Sequence, residues 1–514
     1  MLFFEKINII SNKIDIGQFE DAFELSKQFL KRISKSDVKN TEIFAKLIFN
    51  LSGQFIDIGA MQPNSESAKI GIELLEKNRE IILANVSEEH YYYNLANAKS
   101  NFVKGVSPFV YSFETIEDLI ELKNYFWKTI KFSTKNTKKP SPEYIVNLAN
   151  SLKQQFRVVE AMGYYDLVNS LSLDIPQSWI NRSESLMVLN TISNTFSVEM
   201  LKQVKLGYQK AISSKKIPPQ WIDYYNKQIE DTQSKIDAVC NDYGILSSDE
   251  NECETELEFS QLSKFRQFCL SENLTLSEHG LYCKCYGSAR DDLAIMRHED
   301  LSCDFIIPME MILNRLKSEF SLARHLYYEY ICCEDSIEQN YESCFSELRN
   351  DELLGIDIEK LRTSFRLCFG IMDKIGSAIC DFFDVYPPNG TVAFQSFWQL
   401  GTGNRREKFE KIKSPGLLAL YSIATDLNDR KDGEWAFYKN WRNDLEHKFV
   451  VVHKSAQPSD LYKSFKLRSG VILIRDEEFI SHLQRLLQLT RSAIFSFAFA
   501  VRDKALKQKD QQSS

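Results

Sequence analysis

From Met1 to about Ala238, apolar residues recur three and four positions apart in segment after segment, with only short polar breaks between them. That period is one face of an α-helix, and the two-residue alternation of a half-buried strand is scarce. The pattern excludes a parallel-sheet core for this half. Two near-copies lie inside it. Tyr93-Asn94-Leu95-Ala96-Asn97-Ala98 returns as Val146-Asn147-Leu148-Ala149-Asn150-Ser151, offset by 53 residues (146 minus 93). Gly17-Gln18-Phe19-Glu20-Asp21-Ala22 is answered loosely by Phe156-Arg157-Val158-Val159-Glu160-Ala161. Alanines at 96 and 149 allow paired helices to approach, and those at 22 and 161 seat a neighbouring helix.

These copies resemble the two halves of tetratricopeptide units, which implies a stacked-helix solenoid with a concave recognition surface. The offset exceeds the roughly 34 residues of a regular unit, so the repeats are degenerate or interrupted. A plain helical domain without repeats fits the same pattern. No catalytic constellation lies here, since His90 is its only histidine and stands beside three tyrosines. A concave surface without chemistry points to a protein or peptide partner.

At 514 residues the chain exceeds one ordinary core, and two or three domains are expected. The expected fold is all-α: residues 1–240 form a tetratricopeptide-like repeat domain, 241–302 an acidic linker and connector, and 303–510 a helical bundle. The linker is read from Gly244, Ser247, Ser248 and the run Asp249-Glu250-Asn251-Glu252. Beyond it, helices are predicted from Pro308 to Cys333, Glu359 to Val385, Leu417 to Leu427 and Asp476 to Lys504. Lys463 to Ile474 is read as a brief strand or hairpin. Gly401 to Lys413 is read as an irregular insertion with the cations Arg405, Arg406, Lys408 and Lys411.

A formal charge of -8 gives no global basic field, so any contact with RNA needs a local patch of that kind. All eleven cysteines fall between Cys240 and Cys380, an odd count that suggests reduced thiols and a cytoplasmic setting. Cys283 and Cys285, with Cys269, His279 and Cys303 nearby, raise a zinc site. Their Cys-x-Cys spacing is shorter than the usual two to four intervening residues and no second knuckle matches, so buried thiols are expected and no metal or cofactor is assigned. No signal peptide or membrane span is expected. The apolar run Ala493 to Val501 is too short to cross about 30 Å of hydrocarbon.

The sharpest chemistry lies at Arg442-Asn443-Asp444-Leu445-Glu446-His447. Trp435, Tyr438, Trp441, Leu445 and Phe449, three or four apart, predict one long helix through Lys431 to His453 with a buried aromatic face. Asn443 and His447, four apart, share a second face, with Arg442 about 100° to the side. An imidazole moves protons near neutrality, and a guanidinium grips phosphate oxygens in a two-pronged fork. That set suits phosphodiester cleavage. Arg and His at such a spacing also occur on ordinary solvated helix surfaces. His325, His453 and His482 lack the Arg-Asn partnership.

The string Arg442-Asn443-x-x-x-His447, set in a bundle of long helices, resembles the signature of the HEPN superfamily: an Arg, a polar residue after it, and a His four to six positions beyond the Arg. The resemblance runs from Cys303 to the C-terminus. It implies a helical bundle, a metal-independent endoribonuclease of toxin or antiviral-defence type, and a homodimer that brings two motif helices to one cleft. It assigns catalysis to Arg442, Asn443 and His447, with His447 moving the proton and Arg442 holding the phosphate. The competing expectation is a non-catalytic scaffold whose bundle dimerises or binds a nucleotide.

Overall fold

The computed structural model describes the chain except residues 1, 35–39, 62–64, 107–112, 138, 172–174, 194, 196, 244–251, 296–302, 333–351, 388–389, 391, 396–397, 399–403, 455–470 and 514. Among the described residues there are twenty α-helices and one three-stranded sheet. The all-α expectation therefore stands. Two compact units divide the chain: Met1–Gln155 with Tyr164–Ser178, and Phe156–Gly163 with Trp179–Ser514.

The first unit is built from α1 (Leu2–Asp15), α2 (Phe19–Ser34), α3 (Thr41–Met61), α4 (Ser65–Lys77), α5 (Arg79–Asn85), α6 (Glu88–Val106), α7 (Phe113–Thr137), α8 (Pro142–Gln154) and the latter part of α9 (Val158–Leu171). Among the described residues α3 alone is, by length and composition, apolar enough to cross a membrane, but Leu47, Ile48, Leu51, Phe55 and Ile58 are buried as the centre of this unit's core. The two Asn-Leu-Ala-Asn copies occupy α6 and α8, and the copies touch. Asn147 Nδ2 donates to Tyr93 Oη at 2.9 Å and to Asn97 Oδ1 at 3.3 Å, while Leu95, Ala96, Leu148 and Ala149 are all buried. Helices two apart along the chain thus meet through polar side chains at positions that do not correspond between the copies. The long spacing has a plain cause in the 19 residues of α6 and the 25 of α7.

The looser pair is a backbone match. Gly17 has φ +80° and α2 starts at Phe19, whereas Phe156 has φ +60° and α9 starts at Val158. Both chains turn through the left-handed region and re-enter a helix two residues later. Glycine adopts that region freely, whereas another residue gives up about 1–2 kcal/mol to do so.

In the second unit, α10 (Pro176–Ser193, from Trp179), α11 (Val198–Ser213) and α12 (Pro219–Tyr243) precede α13 (Glu252–Gln261) and α14 (Lys264–Ser271). Within this unit Arg502 Nη1 donates to Ser193 O at 3.1 Å, and Thr195 Oγ1 donates to Glu278 Oε2 at 2.9 Å. Of the expected linker, Glu252 to Glu256 are helical, and residues 244–251 lie outside the described residues.

The bundle proper follows in α15 (Ile306–Cys332), α16 (Ile356–Phe383), α17 (Asn404–Ile412), α18 (Pro415–Asp426), α19 (Tyr438–His447) and α20 (Asp476–Ser513). Leu313, Leu316, Phe320 and Ala323 of α15 and Leu361, Phe365, Phe369 and Met372 of α16 are buried, and Ser364 Oγ donates to Ala323 O at 2.8 Å between them. Gly416 lets α18 lie on α20, because a Cβ there would stand 2.5 Å from Ala500 N and Ser496 O.

One local expectation needs correction. Arg405, Arg406, Lys408 and Lys411 lie on helix α17 and not in an irregular insertion, while Gly401 and Gly403 lie outside the described residues. Residues 463–470 also lie outside the described residues, and the strand expected near 471–474 is β3 (Val471–Arg475). It pairs parallel with β2 (Phe449–His453), Phe449 opposite Val471, and β2 pairs antiparallel with β1 (Glu352–Leu353). The run Val450-Val451-Val452 explains β2, since branched side chains favour the strand over the helix.

Candidate active site on the motif helix

The predicted Lys431–His453 helix is three pieces: a single 3-10 turn at Asp429–Lys431, α19, and β2. Phe449 matched the helical spacing yet is 63% exposed at the start of β2. Entry to α19 is fixed by backbone. Gly433 sits where a Cβ would meet Thr425 O at 2.2 Å and Asp426 O at 2.5 Å, so a side chain does not fit there. Trp435 N then donates to Asp426 O at 2.8 Å.

Asp426 also receives a buried ion network. Arg157 Nη1 lies 2.6 Å from Asp426 Oδ2, its Nε and Nη2 bond the two Glu160 oxygens at 2.8 Å each, and Arg485 Nη2 reaches Glu160 Oε2 at 2.7 Å. All four side chains are almost wholly enclosed. Burial opposes ionisation of Glu160, but the charges of Arg157 and Arg485 outweigh it and hold the carboxyl below its usual range. Alternating charges of this kind satisfy one another where a single ion would be costly.

The buried side of α19 is aromatic. Trp441 stacks on Phe479 at 5.8 Å, Tyr438 meets Phe365 at 5.7 Å, and His482 packs against Trp435, Phe437, Tyr438 and Trp441 with its Nδ1 2.9 Å from Tyr438 Oη. His482 is thereby a packing residue for the helix. On the other side Asn443 and His447 are exposed one turn apart. Arg442 is half-buried: its guanidinium stands 5.9 Å over the Phe369 ring, a cation–π distance, and its Nε is buried with no hydrogen-bond partner among the described residues. Burial pushes the Asp373 carboxyl up, against the Phe394 N–H at 2.8 Å and the charge of Arg442. The motif thus offers a solvent-facing imidazole and amide beside a guanidinium whose stem is clamped on α16.

The carboxylates flanking the motif are engaged by cations. Lys448 Nζ lies 2.7 Å from Asp444 Oδ1, and Arg366 Nε is 3.9 Å from Glu446 Oε1. Arg362 Nη2 donates to Val450 O at 2.5 Å. Arg362, Arg366 and Lys448 are thus the basic side chains gathered around the His447 end of α19. The sequence reading missed them; their signal is the four-residue spacing of Arg362 and Arg366 on one face of α16.

The basic helix α17 lies elsewhere. Arg405 donates to Val385 O at 3.1 and 3.0 Å and lies 5.2 Å over the Phe409 ring. Lys408 meets Asp384 at 2.9 Å, Arg406 meets Glu410 at 3.0 Å, and Lys411 is exposed. The stretch of α16 from Phe369, under Arg442, to Phe383, beside these contacts, is about 21 Å long at 1.5 Å per residue. The structure does not bring Arg405, Arg406, Lys408 and Lys411 up to Arg442 and His447.

The rival histidines are occupied or enclosed. His325 Nε2 lies 3.1 Å from Glu329, and His453 is 3% exposed within β2. Burial pushes the thiols of Cys269 and Cys380 up to about 11 and that of Cys368 up to about 12, so these are packing residues and not nucleophiles. No curated protein matches the chain. Residues 302–504, from just before α15 to within α20, match the family model described as LA2681-like HEPN, so the chain carries a C-terminal HEPN domain.

Proposed function

We propose that this chain is an endoribonuclease that cleaves RNA through the 2'-hydroxyl, with Arg442, Asn443 and His447 as its catalytic residues. The observation that carries the reading is the intact Arg-Asn-x-x-x-His set on a helix of the HEPN-matching region, with Asn443 and His447 both facing solvent. Neutral His447 takes the 2'-hydroxyl proton. The freed O2' attacks phosphorus, the P–O5' bond breaks, and the leaving O5' takes a proton from a second acid. Arg442 holds the phosphate oxygens as charge builds on them, and Asn443 orients the imidazole or the phosphate. Products are a 2',3'-cyclic phosphate end and a 5'-hydroxyl.

One imidazole per chain is poorly placed for both proton transfers. A homodimer through the C-terminal bundle supplies His447 of a second copy, and twofold symmetry makes the two faces identical. Arg362, Arg366 and Lys448 are paired with Glu359, Glu446 and Asp444 and exchange these carboxylates for RNA phosphates on binding, with Arg405, Arg406, Lys408 and Lys411 as a second contact for longer RNA. The helical repeats form the sensor that governs access, through a protein or peptide partner.

End-group analysis of RNA incubated with purified protein and no added divalent metal tests this. Cyclic phosphate ends that vanish in His447→Ala support it. 5'-phosphate ends, or cleavage unchanged by that substitution, would move the chemistry away from α19, and an intact RNA panel with non-toxic expression would favour a scaffold.

A further inference from the structure

Between α14 and α15 the described chain contains no helix beyond two single 3-10 turns, His279–Leu281 and Gly287–Ala289. This irregular segment is held against α20 by polar side chains: Arg491 Nε donates to Thr275 O at 2.7 Å, Gln488 Nε2 to Glu272 O at 3.1 Å, and Arg502 Nε to Ala294 O at 3.0 Å. Long irregular stretches inside a compact unit ordinarily serve a purpose of their own.

The two turns bring His279, Cys283 and Cys285 together. Their ligand atoms all lie within 4.8 Å of one another, and His279 Nε2 is 3.2 Å from Cys285 Sγ. A tetrahedral zinc with Zn–S of about 2.3 Å and Zn–N of about 2.0 Å sets its ligand atoms roughly 3.5–3.8 Å apart. Small side-chain shifts reach that figure. The other ring nitrogen of His279 faces Tyr282 Oη at 3.3 Å, which fixes the ring with Nε2 toward the thiols, as a supporting shell does for a metal-binding histidine. Gly280 draws the turn tight: a Cβ there would stand 2.7 Å from Thr275 Oγ1 and 2.8 Å from Ser288 O. Cys269 and Cys303 take no part in this cluster. The Cys-x-Cys spacing is short for a zinc knuckle, but His279 four residues ahead of Cys283 completes a three-ligand set.

The geometry points to a metal site in which His279 Nε2, Cys283 Sγ and Cys285 Sγ bind one zinc ion, with water at the fourth position. Cys283 is buried, whereas His279 and Cys285 are half-buried, so the fourth position opens toward solvent. The donor set of one imidazole and two thiolates suits zinc and excludes magnesium or calcium. Binding releases both thiol protons and leaves a site of zero net charge with neutral imidazole. The ion ties the first 3-10 turn, through His279, to the Cys283–Cys285 stretch that follows it, and stiffens the segment that lies on α20. Cleavage at α19 does not depend on the chemistry of this ion.

The test uses the full-length protein, purified under reductant and without chelator, and measures zinc by elemental analysis. One zinc per chain is expected. After removal of zinc, cobalt(II) should give a thiolate-to-cobalt charge-transfer band and the visible bands of a tetrahedral ion. Cys285→Ser and His279→Ala should abolish stoichiometric zinc, and Tyr282→Phe should weaken cobalt binding about tenfold. Cys269→Ser and Cys303→Ser should leave both readouts unchanged. Substoichiometric zinc together with no charge-transfer band in the wild type overturns the site, as does equal zinc in folded Cys285→Ser. Because the wild-type cobalt spectrum needs no variant, a misfolded substitution does not blunt the result.

Discussion

At the scale of residues, the three motif positions differ in how they are held, and their substitutions should differ accordingly. Arg442 is clamped over Phe369 with its Nε buried. Removing a group that stabilises transition-state charge costs about 10²–10³ in rate, and Arg442→Ala should fall in that range, with Arg442→Lys recovering little because the fork is lost. Asn443, exposed and without a clamp, should cost less. Single-turnover cleavage by the three variants checks this order. A second residue-scale prediction concerns Asp291. Its burial opposes ionisation, but hydrogen bonds and charge from Arg324, and the Leu276 N–H at 2.9 Å, hold the carboxyl down to about 2. A depressed folded-state value means that the stabilisation, about 2 kcal/mol, is complete above the unfolded value near 4 and disappears as pH falls toward 2. Denaturant midpoints measured between pH 5 and 2 should fall more steeply for the wild type than for Asp291→Asn.

At the scale of elements, the entry to α19 depends on Gly433 and on the Arg157–Glu160–Asp426–Arg485 network. Gly433→Ala pushes a Cβ into Thr425 O and Asp426 O, which are backbone and give little. Overpacking of this sort costs about 1–3 kcal/mol, and the variant should lose thermal stability and lower cleavage together. Calorimetry and rate measurement on the same sample check it. Asp426→Asn removes a charge opposite Arg157 and should cost about 3–5 kcal/mol, as breaking a buried ion pair does. The helical half of the fold was legible because its signal is local: three- and four-residue spacing marked α15, α16 and α18 within a few residues, and the start of α20, which runs on past the expected Lys504 to Ser513. The same spacing misled at Phe449, where the helical register continued by chance into a β-branched run that pairs with Val471. No local pattern announces a partner strand so far along the chain. The motif residues were legible because they are contiguous on one helix. Arg362, Arg366 and the ion network were not, since each joins elements tens or hundreds of residues apart, and the basic run at 405–411 drew attention by density while its own contacts lie at Val385 and Asp384.

At the scale of the whole molecule, the proposed catalysis belongs to the HEPN domain and the proposed recognition to the N-terminal helices, where the two Asn-Leu-Ala-Asn copies meet through Asn147 and Tyr93. Light scattering should give about twice the 59.7 kDa chain mass. A monomer with full cleavage activity would contradict the shared cleft. If the repeats restrain the nuclease, purified protein is slow and expression in cells arrests growth once the partner is present, an effect that His447→Ala abolishes. The most direct measurement is the cleavage rate of one loop-containing RNA by wild type and by His447→Ala, matched for circular dichroism and melting temperature and assayed without added divalent metal. Wild type should yield cyclic phosphate ends, and His447→Ala should be slower by about 10²–10⁴, the usual contribution of a general acid or base. Equal rates from the two proteins would contradict catalysis by His447.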